Sequence, residues 1–159
     1  MSQSKANLQW TMHVEYAQPQ GKLYSHFMQA LKDKKFLGTK INGKKYFPVK
    51  QFCSETFVEP DEIIESDGVG FVESFTIYHK DPDRVNFPNA HAELKPPYVV
   101  AAIKVANSSQ CFMHYLAGVD VGNPNALLQK VKAGLLVKPV WAEERHGNIL
   151  DILHYEPLS

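Results

Sequence analysis

At one place in the chain, apolar positions recur at helical spacing. In "KLYSHFMQALKDKKFL" (22–37), Leu23, Phe27 and Leu31 stand four apart, with Tyr24 and Met28 beside them. That puts an apolar stripe on one helix face. Gly38 follows where a C-cap glycine belongs, and Lys34 and Lys35 fall in the last turn, where cations suit the dipole. The pattern predicts a helix over 22–37. Residues 1–21 are polar with scattered aromatics (Trp10, Tyr16) and a Pro19 stop, and read as an extended lead-in.

Beyond residue 67 the pattern changes to short runs of strand type. "GFVESFTIYH" (70–79) sets Phe71, Phe75 and Ile77 on one face, "YVVAAIKV" (98–105) is a near-continuous apolar run, and "CFMHYLAG" (111–118) follows across a short polar turn. "LLVKPVWAEE" and "NILDILHY" are joined through "RHGN", where Gly147-Asn148 suits a two-residue hairpin turn. Pro139 demotes its strand to an edge or marks a bulge. "NPNALLQKVKAG" (123–134) suits a short helical turn between strands. Five strands with one helical insert predict a small antiparallel barrel over 68–159.

Between helix and barrel lies an irregular stretch with short strand-like pieces. "GTKINGKKYFPVKQFCSET" (38–56) has the outline of a metal-binding ribbon, with a Gly-containing turn, an aromatic-Pro step and a second turn, yet it holds one cysteine, Cys53. A closed structural zinc site takes four Cys or His donors, so zinc is not expected. Ile41, Tyr46, Phe47, Phe52, Phe57 and Val58 form a dense apolar set for so short a segment. Their burial is expected to take over the metal's contribution to folding.

Composition narrows the function classes. The 159 residues suit one domain, or one plus a small appendage, and 44% apolar residues supply a core. Seventeen basic and seventeen acidic side chains cancel, which disfavours nucleic acid or an anionic membrane as the main partner. Two distant cysteines give no disulfide framework. The N-terminus lacks the apolar stretch of a signal peptide, no run reaches membrane-spanning length, and a reducing cytoplasm is the expected setting. Charge is nevertheless blocked: Lys32, Lys34, Lys35, Lys40, Lys44, Lys45 and Lys50 precede Glu55, Glu59, Asp61, Glu62, Glu65 and Asp67. Two mutually neutralising surface halves explain this. So does a local phosphate site, for which lysine is a suitable point charge.

No catalytic constellation emerges. Cys111 and His114, three apart in a strand, face opposite sides. His79, Asp81 and Asp83 cluster at a strand end without a partner residue. No Gly-x-Ser-x-Gly elbow, phosphate-binding glycine loop, His-Glu-x-x-His or EF-hand loop is present. "KDPDRVNFPNAHAELKPP" (80–97) is a long aperiodic loop with four prolines, of a length usually functional or disordered.

The order of helix, turn pair and barrel resembles the acyl-CoA-associated OB-fold family, domain of unknown function thirty-five. The resemblance spans roughly residues 22–158 and rests on "FPV" (47–49), "GVGFVESFTIYH" (68–79), "PPYVVAAIKV" (96–105), "LAGVD" (116–120) and "VKPVWAEE" (137–144). It implies a mainly β fold: an N-terminal helix, a zinc-less rubredoxin-like ribbon lobe (22–67 together), then a five-stranded OB-fold barrel (68–159). The family's two Cys-x-x-Cys pairs align with Thr39 and Asn42, and with Cys53 and Thr56, so three of four ligand positions are lost.

The resemblance further implies a non-catalytic accessory subunit of a thiolase-like enzyme that makes or breaks carbon–carbon bonds on acyl-CoA thioesters. The partner would supply the catalytic residues, and the present chain would carry no cofactor beyond the shared coenzyme A thioester. Lys35, Lys40, Lys44 and Lys45 are the candidates for CoA phosphates. Phe47, Phe52, His79, Phe87 and His91 are the candidates for acyl or partner contact. A free-standing acyl-CoA-binding module is the alternative. Single-stranded nucleic-acid binding is disfavoured because the strands carry few lysines.

Overall fold

The computed structural model describes residues 11–14, 19–79 and 95–158. In chain order the elements are helix α1 (Lys22–Leu31), strands β1 (Phe36–Ile41), β2 (Lys44–Tyr46), β3 (Glu62–Ser66), β4 (Gly70–Tyr78), β5 (Tyr98–Val105) and β6 (Phe112–Leu116), helix α2 (Pro124–Lys130), β7 (Leu136–Trp141), a 3₁₀ turn (Ile149–Asp151) and β8 (Ile152–Pro157). The first three strands form a sheet in the order β2-β1-β3, and the rest close a barrel in the order β4-β5-β6-β8-β7.

Helix α1 is shorter than its apolar stripe predicts. It stops at Leu31 because Lys34 takes a left-handed conformation (φ 59°). The Lys34 N–H then donates to the Leu31 carbonyl at 3.0 Å and the Lys35 N–H to the Ala30 carbonyl at 3.1 Å. This paired closure is a Schellman ending with lysine in the usual glycine position. Gly38 therefore has a different task from the expected cap. It lies within β1, where an added Cβ would come within 2.5 Å of the Phe47 ring and the Tyr46 carbonyl oxygen.

The barrel is mixed rather than purely antiparallel. Four of its pairings are antiparallel, but β6 meets β8 in parallel at Leu116 and Tyr155. In β4 the register shifts between Val72 and Ser74. This bulge puts an extra residue in the strand and reverses the facing of all that follows. Val72, Phe75 and Ile77 consequently pack on the core, and Phe71, expected beside Phe75, does not. The expected Gly147-Asn148 hairpin is instead a longer connection. Asp151, 1% exposed, accepts the amides of His146, Gly147 and Asn148 at 2.9, 2.8 and 3.3 Å. Pro139 sits in β7 one residue before the register shift at Val140/Trp141, as a strand proline should. Asn123 caps α2 by accepting the Ala126 amide at 3.1 Å.

One apolar cluster joins all parts. Phe27 and Leu31 of α1, Phe36 of β1, Phe47 just past β2, and Val72, Ile103, Val137 and Tyr155 of the barrel belong to it. Phe36 makes edge contacts with Phe27 and Phe112, each at a centroid distance of 5.3 Å. The polar seam beside it is equally close. Ser108 Oγ accepts the Phe47 amide at 2.9 Å, the Ser109 amide donates to the Lys45 carbonyl at 2.7 Å, and Gln110 Nε2 donates to the Pro48 carbonyl at 2.6 Å. The β5–β6 turn thus clasps the 45–48 segment of the lobe. Arg145 adds a second clasp: its Nε donates to the Lys32 carbonyl, just past the end of α1, at 2.6 Å.

Candidate functional site

Thr39, Asn42, Cys53 and Thr56, the positions that the resemblance aligns with metal ligands, are engaged in other contacts. Thr39 is fully buried. Its hydroxyl accepts the Lys50 amide at 2.9 Å and donates to the Lys50 carbonyl at 3.0 Å, tying β1 to the segment after Pro48. Asn42 sits in a left-handed turn (φ 50°) and its amide donates to Asp61 Oδ2 at 2.9 Å. Cys53 packs with Ile41 and Tyr46 in a small separate cluster. A side-chain hydrogen bond from Thr56, then the amides of Glu55 and Thr56, hold its thiol below the usual cysteine range. One thiol, two hydroxyls and a side-chain amide are not the donor set of a structural zinc. Among the described residues, no group of three or more His, Cys, Asp or Glu side chains is placed to hold a metal ion.

Burial takes up only part of the apolar set in the lobe. Ile41, Tyr46 and Phe47 are inside, whereas Phe52, Phe57 and Val58 are 46%, 75% and 40% exposed. The reason is local. The Cys53 amide donates to the Val58 carbonyl at 2.9 Å and the Phe57 amide to the Cys53 carbonyl at 2.7 Å, closing a tight turn. That closure holds Phe57 at φ 55°, a conformation a bulky side chain rarely adopts. The Phe52 and Phe57 rings then stack against each other, 6.0 Å apart and 18° from parallel, at the surface. The turn presents an aromatic knob to solvent. Phe47, by contrast, is 1% exposed. Its ring lies in the core of the single chain.

The candidate lysines are scattered around the small sheet. Lys40 stands between Lys45 on β2 and Glu62 on β3, and Lys44 lies opposite Ile41. Lys35 pairs with Glu65 at 3.0 Å, both about half exposed, an arrangement of small energetic weight. Lys50, not among the candidates, lies 4.7 Å over the Tyr46 ring. A groove of about 480 Å³ runs between α1 and β3, lined by Gln29, Ala30, Leu37, Ile63 and Ile64, with Lys35 and Glu65 among its polar groups.

On the barrel, His79 is exposed just past β4. Phe87 and His91 fall outside the described residues, as do Asp81 and Asp83. Cys111 is exposed and His114 is buried, on the opposite faces their spacing predicts. His114 sits among the rings of Phe112, Tyr115 and Tyr155. Tyr155 is fully buried and donates to the Gly68 carbonyl at 3.2 Å. Burial first, and the charge of Asp67 second, push its phenol far above the ordinary tyrosine range. It is therefore a neutral strut.

Sequence reasoning missed the outer face of β4, β5 and β6. Its cross-strand partners are Tyr78 and Tyr98, Thr76 and Val100, Val100 and Tyr115, and Ala102 and Met113. The Tyr78 and Tyr98 rings stack 5.4 Å apart. The alternation in "SFTIY" and "YVVAA" was the available signal, once the bulge had fixed which residues point outward.

Among the described residues, no helix is long and apolar enough to cross a membrane. No family model matches the sequence, and no curated protein does. Solved structures do match in fold. One is described as an Ltp2-ChsH2(DUF35) aldolase. It is 19% identical, covers 88% of this chain and 98% of its own, and superposes with a TM-score of 0.56. Another is a DUF35 family protein of unknown function from Sulfolobus solfataricus, 25% identical over 76% of this chain and 78% of its own, with a TM-score of 0.52.

Proposed function

Starting from a chain that takes the fold of DUF35 family proteins, we propose that it is an accessory subunit of a thiolase-like enzyme acting on acyl-CoA thioesters in the cytoplasm. The observation that carries this reading is the aromatic knob. Phe52, Phe57 and Val58 are exposed together on a turn closed by two backbone hydrogen bonds. Strained backbone that keeps a large apolar side chain in water adds nothing to the chain's own folding, and such strain concentrates at functional positions. Aromatic side chains on a rigid support are also the usual anchors of protein interfaces. The similarity to a DUF35 component named together with an aldolase adds support for a partner enzyme.

In this reading the lobe docks on the partner, which brings the catalytic groups. The barrel borders the substrate. Lys40 and Lys45, cross-strand partners on one face of the small sheet, face the coenzyme A phosphates as point charges. The test is co-purification of the tagged chain with identification of the bound polypeptide by mass. A thiolase-like protein is expected, and F52S/F57S should release it while leaving the thermal midpoint of the chain unchanged. Retention of the partner by that variant would refute the docking role. Tight coenzyme A binding by the isolated chain, without any partner, would favour the free-standing module instead.

A further inference from the structure

We propose that the outer edge of β3 is a docking site for an extended, basic segment of another polypeptide, which joins the small sheet as a further strand. The two ends of that sheet differ. β2 is covered: the Ser109 amide donates to the Lys45 carbonyl at 2.7 Å, and Ser108 Oγ accepts the Phe47 amide just beyond. β3 pairs with β1 along one side, from Glu62 opposite Lys40 to Ser66 opposite Phe36. Along its other side no strand among the described residues pairs with it. A row of backbone donors and acceptors left open in this way accepts an incoming strand.

The edge also has room for side chains. Leu37 stands opposite Glu65 and Thr39 opposite Ile63, so Leu37, Ile63 and Glu65 share one face of the sheet. The groove of about 480 Å³ under α1 has Ala30, Leu37, Ile63 and Ile64 in its wall, and Ile63 is 48% exposed. A strand added beside β3 lies about 4.8 Å from it and turns every second side chain to the groove side. Apolar residues at that interval cover Ile63.

Charge selects the occupant. "DEIIESD" (61–67) carries Asp61, Glu62, Glu65 and Asp67 and no basic residue, and Asp33 lies in the groove wall. Lys35 meets Glu65 at 3.0 Å. Among the described residues no ion pair reaches Asp33, Asp61, Glu62 or Asp67. A second copy presenting the same edge would set acid against acid, which is unfavourable between directly opposed strand residues. A segment with Lys or Arg at alternate positions sets cation against carboxylate instead, which favours encounter and fixes the choice of partner. This docking role stands whether or not Phe52 and Phe57 hold an enzyme partner.

Two capped peptides, one of alternating Lys and Val and one of alternating Glu and Val, test it on the full chain. Fluorescence anisotropy at low salt should show saturable binding of the Lys-Val peptide and binding of the Glu-Val peptide weaker by at least about tenfold. Methylating every backbone nitrogen of the Lys-Val peptide keeps its side chains and charge but removes its edge donors, and should abolish binding. Hydrogen exchange at the Glu62–Ser66 amides should slow when the Lys-Val peptide is added. D33K/E62K should erase the preference between the two peptides, and I63E should weaken the Lys-Val peptide. Circular dichroism shows whether each variant keeps its fold, and the peptide and exchange comparisons need no variant. The proposal is overturned if the Lys-Val peptide does not bind, if both peptides bind equally, or if the methylated peptide binds as well as its parent. Binding that leaves β3 exchange unchanged, or a preference that survives D33K/E62K, would overturn it too, since the peptide would then sit elsewhere.

Discussion

Replacing Thr39 with valine removes the hydroxyl clasp while keeping the β-branched shape. Thr39 is fully buried, and its Oγ1 serves both the amide and the carbonyl of Lys50 at 2.9 and 3.0 Å. Two hydrogen bonds of this type contribute about 0.5–1.5 kcal/mol each, and backbone groups left without a partner add to the loss. Lys50 is only half-buried, so water recovers part of it. The expected cost of T39V is about 2 kcal/mol, against a total stability on the order of 5–15 kcal/mol. T39S keeps the hydroxyl and loses one methyl, worth about 0.8 kcal/mol. Urea unfolding measures both: the midpoint should fall further for T39V than for T39S, with an unchanged slope. If T39V unfolds within about 0.5 kcal/mol of the unmodified chain, the hydroxyl is not what joins the two sides of the lobe. The reasoning that it stands where a metal bridge otherwise would then fails.

Other predictions follow from single contacts. D151A leaves three amides near a buried position without their acceptor and should cost about 3–5 kcal/mol in the same assay; little change would mean that water replaces the carboxylate. In a C111S background, the pH midpoint for alkylation of Cys53 should lie below the ordinary value of 9.0, and T56V should raise it. Because the folded state depresses this pKa, the associated stability is fully present above the unfolded value and is lost as pH falls through the folded one. A midpoint at or above the ordinary thiol value would contradict the Thr56 hydrogen bond. R145M removes the link to the Lys32 carbonyl and should lower stability by about 1–2 kcal/mol while increasing hydrogen exchange in the last turn of α1; unchanged exchange would show that Arg145 does not anchor the helix.

Much of the fold was legible because periodicity reports burial directly. The stripe through Leu23, Phe27 and Leu31 located α1, and the run 98–105 located the central barrel strand. The errors share a cause: each depended on a contact distant in sequence. Gly38 looks like a helix cap until the Phe47 ring is seen against it. Nothing local announces the bulge in β4 that separates Phe71 from Phe75, or the acceptance of three amides by Asp151. The candidate site divides the same way. The scarcity of Cys and His donors in 38–56 was readable residue by residue. That Phe47 turns inward while Phe52 and Phe57 stay outside was not, because a closed turn decides it, and composition cannot report a turn.

The continuous core has a mechanical consequence. Phe36 touches the helix through Phe27 and the barrel through Phe112, and the Ser108 turn grips the lobe beside them. Contacts on several sides brace the joint between lobe and barrel. A load on the lobe would therefore reach β6 first, through the ring of Phe36 against that of Phe112.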